Sequence, residues 1–232
     1  MPTPGILVIL MPKWPLTGGR RGSIQLGEEG PLALLYHNTD FHASDQWMKI
    51  YKLRDIRSFV SEGLPSLSGL DRMLVEDGGE VRCYEQIQVF EPTSNPGYPK
   101  PKVQANNGQH RPRGMVMVTM EPGESAEDEI DEWYRKQHLD MLSMCRGYRR
   151  STRYKLAPEE YQFSENFQKS PQDQARYLAL HEYSSAFDLP EDQIKIVSGT
   201  EWSRKVIGNA KIFKRDIWEL TEIIGDPAEV ML

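Results

Sequence analysis

The sequence predicts an α+β fold made of two βαββαβ repeats, the first of which lacks or shortens one helix. Three observations predict it. Residues Glu91 to Arg113, EPTSNPGYPKPKVQANNGQHRPR, hold five prolines and almost no apolar side chains, so they cannot be the interior of a helix or strand. The stretches on either side resemble each other segment by segment: GILVILM at 5–11 with GMVMVTM at 114–120, WMKIYKLRDIRSF at 47–59 with YLALHEYSSAF at 177–187, and Arg72 to Phe90 with Arg204 to Ile223. Finally, EIDEWYRKQHLDMLSMCRGYRRSTRYKL, Glu129 to Leu156, reads as an amphipathic helix, a glycine stop and a strand. The expected organisation is a degenerate first repeat over 1–92, a proline-rich linker over 93–113 and a complete second repeat over 114–232.

Taken in order, Gly5 to Met11 is a short apolar strand. PKWPLTGGRRGSIQLGEEG follows, rich in glycine and proline where the second repeat has a helix, so this helix is lost or reduced to a loop. Leu32 to His37 is the next strand, and His37 and His42 flank a turn at Asn38-Thr39-Asp40. In the second repeat, Ser125 with Asp128 three residues on forms a capping box, and Glu127, Asp128 and Glu129 suit the positive helix end. Ile130, Tyr134, His138, Met141 or Leu142, and Cys145 recur at intervals of three and four, while Asp131, Arg135, Lys136 and Asp140 fall elsewhere. His138 therefore faces inward. Gly147 supplies a left-handed cap, Tyr148 to Leu156 is a strand, and Tyr177 to Tyr183 is another. Between them Pro158 to Gln174, carrying Tyr161, Phe163 and Phe167, is long enough to be a cover over a pocket or a surface excursion.

An antiparallel βαββαβ sheet covers one face with its two helices and leaves the other bare. A bare apolar face has to be buried, by pairing the two halves or two chains, so a homodimer is one expectation.

Composition excludes several classes of function. A net charge of -6 with scattered basic residues argues against a nucleic-acid partner, which needs a cationic surface. The longest apolar run, Gly5 to Met11, is far short of the ~20 residues that span a bilayer, and no cationic leader precedes it, so a soluble cytoplasmic protein is expected. Cys83 and Cys145 show no metal-ligand spacing, and no two of the five histidines are set at HxxxH spacing, so no metal is expected.

The run EDEIDEWYRKQHLDMLSMCRGYRRSTRYKL, followed by ARYLALHEYSSAF and RDIWELTEIIG, resembles the EthD-like members of the dimeric α/β-barrel superfamily, in particular the long fungal type with two repeats in one chain. The resemblance covers Arg113 to Gly225 well and Gly5 to Pro92 weakly. It implies ferredoxin-like repeats whose paired sheets enclose a cavity, and cofactor-free work on polyketides or other secondary metabolites. Trp133, Tyr134 and His138 match the motif WYxxxH, which implies that His138 projects toward that cavity. Barrels of this kind also hold haem, and His181 would then be the axial ligand.

The candidate catalytic residues are His138, Tyr154 and His181. His138 can move a proton near neutral pH or simply satisfy a core carbonyl. On the strand 177–183, Tyr177, Ala179, His181 and Tyr183 share one face, read as a cavity wall; Tyr51 takes the place of His181 in the first repeat, on the face it shares with Trp47. Tyr51, Trp47, Tyr134, Tyr177, Tyr183 and His37 are candidate substrate-binding residues, although such rings also fill cores. Of Tyr154 and Lys155, Tyr154 is expected inward; His110, in the linker, carries no role.

The leading expectation is a cofactor-independent cyclase or isomerase, Diels–Alder chemistry included, that folds a hydrophobic secondary-metabolite intermediate in its cavity. His138 moves a proton or polarises a carbonyl while Tyr154, His181 and Tyr51 hold the substrate. The alternatives are a cofactor-free decarboxylase of an aromatic polyketide acid and a non-catalytic binding protein for an apolar metabolite.

Overall fold

The computed structural model describes residues 2–11, 33–57, 80–92, 113–158 and 175–224. The expected linker, the glycine-rich stretch, the loop with Tyr161, Phe163 and Phe167, and His110 lie mostly or wholly outside these residues. The described elements are β1 (Gly5–Met11), β2 (Ala33–Asn38), β3 (Trp47–Leu53), β4 (Glu80–Phe90), β5 (Gly114–Glu121), α1 (Glu127–Trp133), a π-helical turn (Tyr134–His138), α2 (Leu139–Ser143), β6 (Tyr148–Leu156), β7 (Tyr177–Tyr183), α3 (Glu191–Ser198), α4 (Glu201–Gly208) and β8 (Ile212–Ile224). The chain forms two compact units, one from residues 1–86, 154–172 and 220–232, the other from residues 87–153 and 173–219.

In the first unit the strands run in the order β4-β1-β3-β2, with β1 antiparallel to both neighbours. Every residue of β1 is buried, which is why GILVILM is apolar throughout instead of alternating. Leu7, Ile9, Met11, Ala33, Leu35, Tyr51, Leu53, Ile56 and Cys83 form its core.

The second unit repeats the order as β8-β5-β7-β6. The repetition extends to single residues: Gly5 pairs with Leu53, Leu7 with Tyr51 and Met11 with Trp47, while Gly114 pairs with Tyr183, Val116 with His181 and Met120 with Tyr177. Tyr51 thus holds the register position of His181, as the sequence alignment expects. Gly5 and Gly114 also share a constraint. A Cβ on Gly5 would lie 2.2 Å from the Tyr84 carbonyl oxygen, and one on Gly114 2.3 Å from the backbone of Ser185. Only glycine allows so close a backbone approach.

The helices of this unit pack on the β7 face that carries Ala179 and Tyr183; Ile130, Trp133, Leu139, Leu142, Val197 and Val206 share their core. Each large side chain buried there contributes about 1.5–3 kcal/mol. Two local expectations are corrected. Ser125 adopts φ 57, so Ala126 takes the N-cap position one residue later and no side chain caps α1; a serine outside the cap position cannot offer Oγ to the first-turn N–H groups. The helix is also not α-helical throughout, because Tyr134 to His138 form a π turn in which Leu139 N–H reaches the Tyr134 carbonyl. Gly147 has the expected left-handed conformation, φ 77, and β6 begins at the next residue.

Candidate functional site

The π turn decides where His138 lies. In an α-helix, residues five apart point about 140° from each other. The widened turn instead brings Trp133 and His138 onto one face, with ring centroids 4.0 Å apart and planes at 27°. Tyr134 meets His138 edge-on at 5.4 Å. Single π turns inserted in α-helices are frequent at functional sites.

Under this turn lies His181 of β7, its ring 6.2 Å from His138 and 6.3 Å from Tyr134. His181 Nδ1 is 2.7 Å from Ser151 Oγ, which accepts a 2.7 Å hydrogen bond from the Tyr148 hydroxyl. Among the described residues two imidazole nitrogens are fully enclosed without a hydrogen-bond partner, His138 Nδ1 and His181 Nε2. Unmatched buried polar atoms are uncommon, and two on adjacent rings ask for an explanation.

Arg153, on the β6 face that also holds Ser151, supplies the charge. Its side chain is 3% exposed, donates to Asp131 Oδ1 at 2.9 Å and Gln88 Oε1 at 2.7 Å, and lies 4.2 Å from the centre of the Tyr134 ring. The half-exposed Asp131 is also bonded by Arg135 at 2.6 Å. Burial works against the Asp131 carboxylate, but the hydrogen bonds from Arg135 and Arg153 outweigh it and hold its pKa below the usual range.

Both imidazoles are consequently neutral at physiological pH. Burial drives His138 well below its ordinary pKa, with His181 and Arg153 adding to the effect. Burial pushes His181 down to about 3, helped by Arg153 and Arg215. The Tyr134 phenol is pushed up to about 12 by burial, against the pull of Arg153. Arg153 acts against an imidazolium and for an anion, while burial, the larger effect at all three rings, acts against either charge.

The sequence-predicted residues fall into two groups. His138, His181, Tyr134 and Tyr183 come together in the second unit, where Tyr183 packs edge-on against Tyr148 at 5.8 Å. Tyr177 belongs to the same unit, but its hydroxyl donates to Glu127 Oε2 at 2.7 Å in a cluster with Arg176 and Glu121 at the start of α1. The face read as a cavity wall is thus the face beneath the helices. Tyr51, Trp47, His37 and Tyr154 belong to the first unit. Tyr51 is buried in its core with Lys49 Nζ 4.8 Å over the ring, His37 lies half-buried between Phe41 and Trp47, and Tyr154 is buried while Lys155 is partly exposed. Sequence reasoning missed Arg153, Ser151 and Tyr148. Ser151 and Arg153 are two apart and share one face of β6, a polar pair whose spacing could have been noticed, whereas Tyr148 carries no such signal and the buried run 151–154 does not alternate.

The residues do not fit a haem. Iron ligation requires open space at His181 Nε2, and that nitrogen is fully enclosed by protein. Among the described residues no group of His, Cys, Asp and Glu is arranged to hold a metal ion, and no helix is long and apolar enough to cross a membrane.

No protein-family model matches the chain, and no curated protein matches its sequence. Solved structures do. An anthrone oxidase-like protein aligns over 96% of this chain and 92% of its own, at 12% identity and a TM-score of 0.57. A proposed monooxygenase from Fusobacterium nucleatum subsp. nucleatum ATCC 25586 aligns over 97% and 95%, at 8% identity and 0.55. A mutant chlorite dismutase from Candidatus Nitrospira defluvii in complex with cyanide aligns over 95% and 91%, at 11% identity and 0.50. At such identities the likeness concerns the fold alone, and the described antiparallel strands are compatible with a dimeric α/β-barrel fold.

Proposed function

We propose that the protein is a cofactor-independent enzyme acting on a hydrophobic carbonyl compound, with His138 as a neutral hydrogen-bond donor to the carbonyl oxygen. The observation that carries this reading is a neutral imidazole on a π turn beside a buried arginine. A carbonyl oxygen gains negative charge as an adjacent C–H gives its proton to solvent or as a conjugated ring closes. A donor N–H together with the Arg153 field stabilises that charge in the transition state more than in the substrate. Isomerisation and cyclisation both follow from such polarisation. An activated methylene, once ionised, also reacts with dioxygen: the carbanion adds O2 to give a peroxide, which loses hydroxide to leave a new carbonyl, and the proton released on ionisation converts that hydroxide to water, a course that accommodates the oxidase-like and monooxygenase-like structural neighbours.

A decarboxylase that uses its histidine to deliver a proton needs a ring charged near neutral pH. The depressed pKa of His138 favours the polarising role over that one. The two repeated strand orders support a pair of ferredoxin-like repeats as the scaffold.

The test is hydrogen–deuterium exchange at the activated methylene of a panel of anthrones and polycyclic enones, followed by NMR under nitrogen, with dioxygen uptake measured in air. The wild-type protein is expected to accelerate exchange for at least one member, and His138→Ala to lose about 10²-fold or more of that acceleration. Exchange no faster than in buffer across the panel overturns the proposal, and so does an unimpaired His138→Ala. Stoichiometric capture of a panel member without turnover points to a binding protein and also overturns it.

A further inference from the structure

The two unmatched nitrogens explain each other. Given the reading of His138 as a donor, on which this inference rests, we propose that Tyr148, Ser151 and His181 form a hydrogen-bond relay that fixes His138 with its proton on Nε2.

The direction of the relay follows from counting donors. With Tyr148 O–H donating to Ser151 Oγ, the Ser151 proton is free to go to His181 Nδ1 at 2.7 Å. His181 then carries its proton on Nε2, and the neutral ring of His138 offers a lone pair at its enclosed Nδ1. The two groups are a donor and an acceptor on rings inclined at 73°. Their centroids are 6.2 Å apart, whereas a hydrogen-bonded imidazole pair needs about 5 Å, so this last link is the step the proposal adds: it requires the two rings to approach by about 1 Å with these nitrogens facing each other. His138 is left with one proton, on Nε2, the donor position the carbonyl requires.

The opposite direction runs from His138 Nδ1–H through His181 and Ser151 to the Tyr148 oxygen. It ends on a phenol O–H that is 7% exposed and has no acceptor among the described residues. A buried donor left without a partner disfavours that direction by roughly 5- to 150-fold. Burial also raises the pKa of Tyr148, so the phenol stays protonated and the head of the relay remains a donor. No net proton is transferred along the chain. Tyr148, Ser151 and His181 are positioning residues that select one of two neutral forms of His138.

The experiment is nitrogen-15 NMR of histidine-labelled protein without substrate, which distinguishes protonated from unprotonated ring nitrogens; His138→Gln and His181→Gln identify the signals. Both rings are expected to show a protonated Nε2 and a bare Nδ1. Ser151→Ala and Tyr148→Phe are expected to mix the forms at both rings, and Ser151→Thr, which keeps the hydroxyl, to restore the wild-type pattern. In the exchange assay Ser151→Ala should lower kcat about tenfold with KM little changed. A protonated Nδ1 on His138 in the wild type, or ring signals indifferent to both Ser151→Ala and Tyr148→Phe, overturns the relay. The spectra need no substrate, so a correct tautomer pattern without turnover sinks the proposed function alone, whereas turnover with the wrong pattern sinks the relay alone.

Discussion

Trp133 stacks on His138 with ring centroids 4.0 Å apart while its indole N–H donates to Ser203 Oγ at 3.1 Å. The same serine donates to the Val197 carbonyl at 2.8 Å and shares a 2.7 Å contact with the Thr200 hydroxyl, which caps α4 by accepting from Ser203 N–H. The ring that supports the candidate histidine is therefore anchored at the junction of α3 and α4.

Trp133→Ala is expected to destabilise the protein by about 3–5 kcal/mol, as for other fully buried large aromatics. Ser203→Ala removes a completely buried hydroxyl and leaves the indole N–H unmatched, at about 1–3 kcal/mol. Thr200→Ala removes the cap and the hydroxyl's bonds to Ser203 Oγ and Gln137 Oε1 but leaves the indole bond in place, at about 1 kcal/mol. Urea unfolding curves order the three variants, and a Ser203→Ala protein as stable as wild type would contradict the anchor.

Gly147→Ala is expected to cost about 1–2 kcal/mol from the left-handed backbone alone. Its Cβ would also lie 2.7 Å from Ser184 Oγ, beside the 2.8 Å hydrogen bond from Ser184 N–H to the Gly147 carbonyl. The double variant Gly147→Ala with Ser184→Ala should recover part of the loss, as a melting-temperature series would show.

Acidification should weaken the fold earlier than carboxylate titration does. The unfolded imidazoles of His138 and His181 take up protons as the pH falls through about 6.5, whereas the folded rings, with depressed pKa values, do not. The unfolded state then binds more protons and is favoured. Each ring contributes up to about 1.4 kcal/mol per pH unit below pH 6, a loss that continues for His181 until about pH 3. Above pH 7 neither contributes. Urea midpoints from pH 8 to 5 measure the slope, and His181→Gln should remove about half of the share due to these two rings.

Arg153→Met takes away the buried charge while Asp131 keeps Arg135 as its partner. Both imidazoles should then titrate at higher pH, since one cause of their depression is gone. Histidine NMR titration reads this directly. In the exchange assay the variant should lose about tenfold or more, because in the proposed mechanism the same field stabilises the developing oxyanion. Unmoved imidazole pKa values would show that Arg153 is not the source of that field.

Much of the backbone was legible. The limits of β1, β3, β6 and β7 and the left-handed Gly147 follow from strand patterning and glycine punctuation, and the residue-level match of Tyr51 with His181 follows from the internal similarity. What escaped the sequence is what depends on an added backbone residue or on partners distant in the chain. A period of 3.6 cannot announce a π turn, so the Trp133–His138 stack was invisible, although the inward direction of His138 was right. Ser125 looks like a cap because it is a serine three residues before an aspartate, but its φ decides otherwise, since Ser125 lies in the turn closed by Ala126 N–H on the Gly123 carbonyl. Arg153 reads as one more basic residue in RRSTRYKL until Asp131 and Gln88, 22 and 65 residues away, close around it.

The shared register of β1 with β3 and of β5 with β7 makes the two ladders a matched experiment within one molecule. Their main chains exchange the same partners, so what separates them is carried by side chains: a phenol against leucines in one, an imidazole against a serine in the other. Asymmetry of chemistry has been written onto symmetry of scaffold. A change of residue type at one such paired position, with no shift of strand, is enough to turn an apolar packing surface into a hydrogen-bonded polar one.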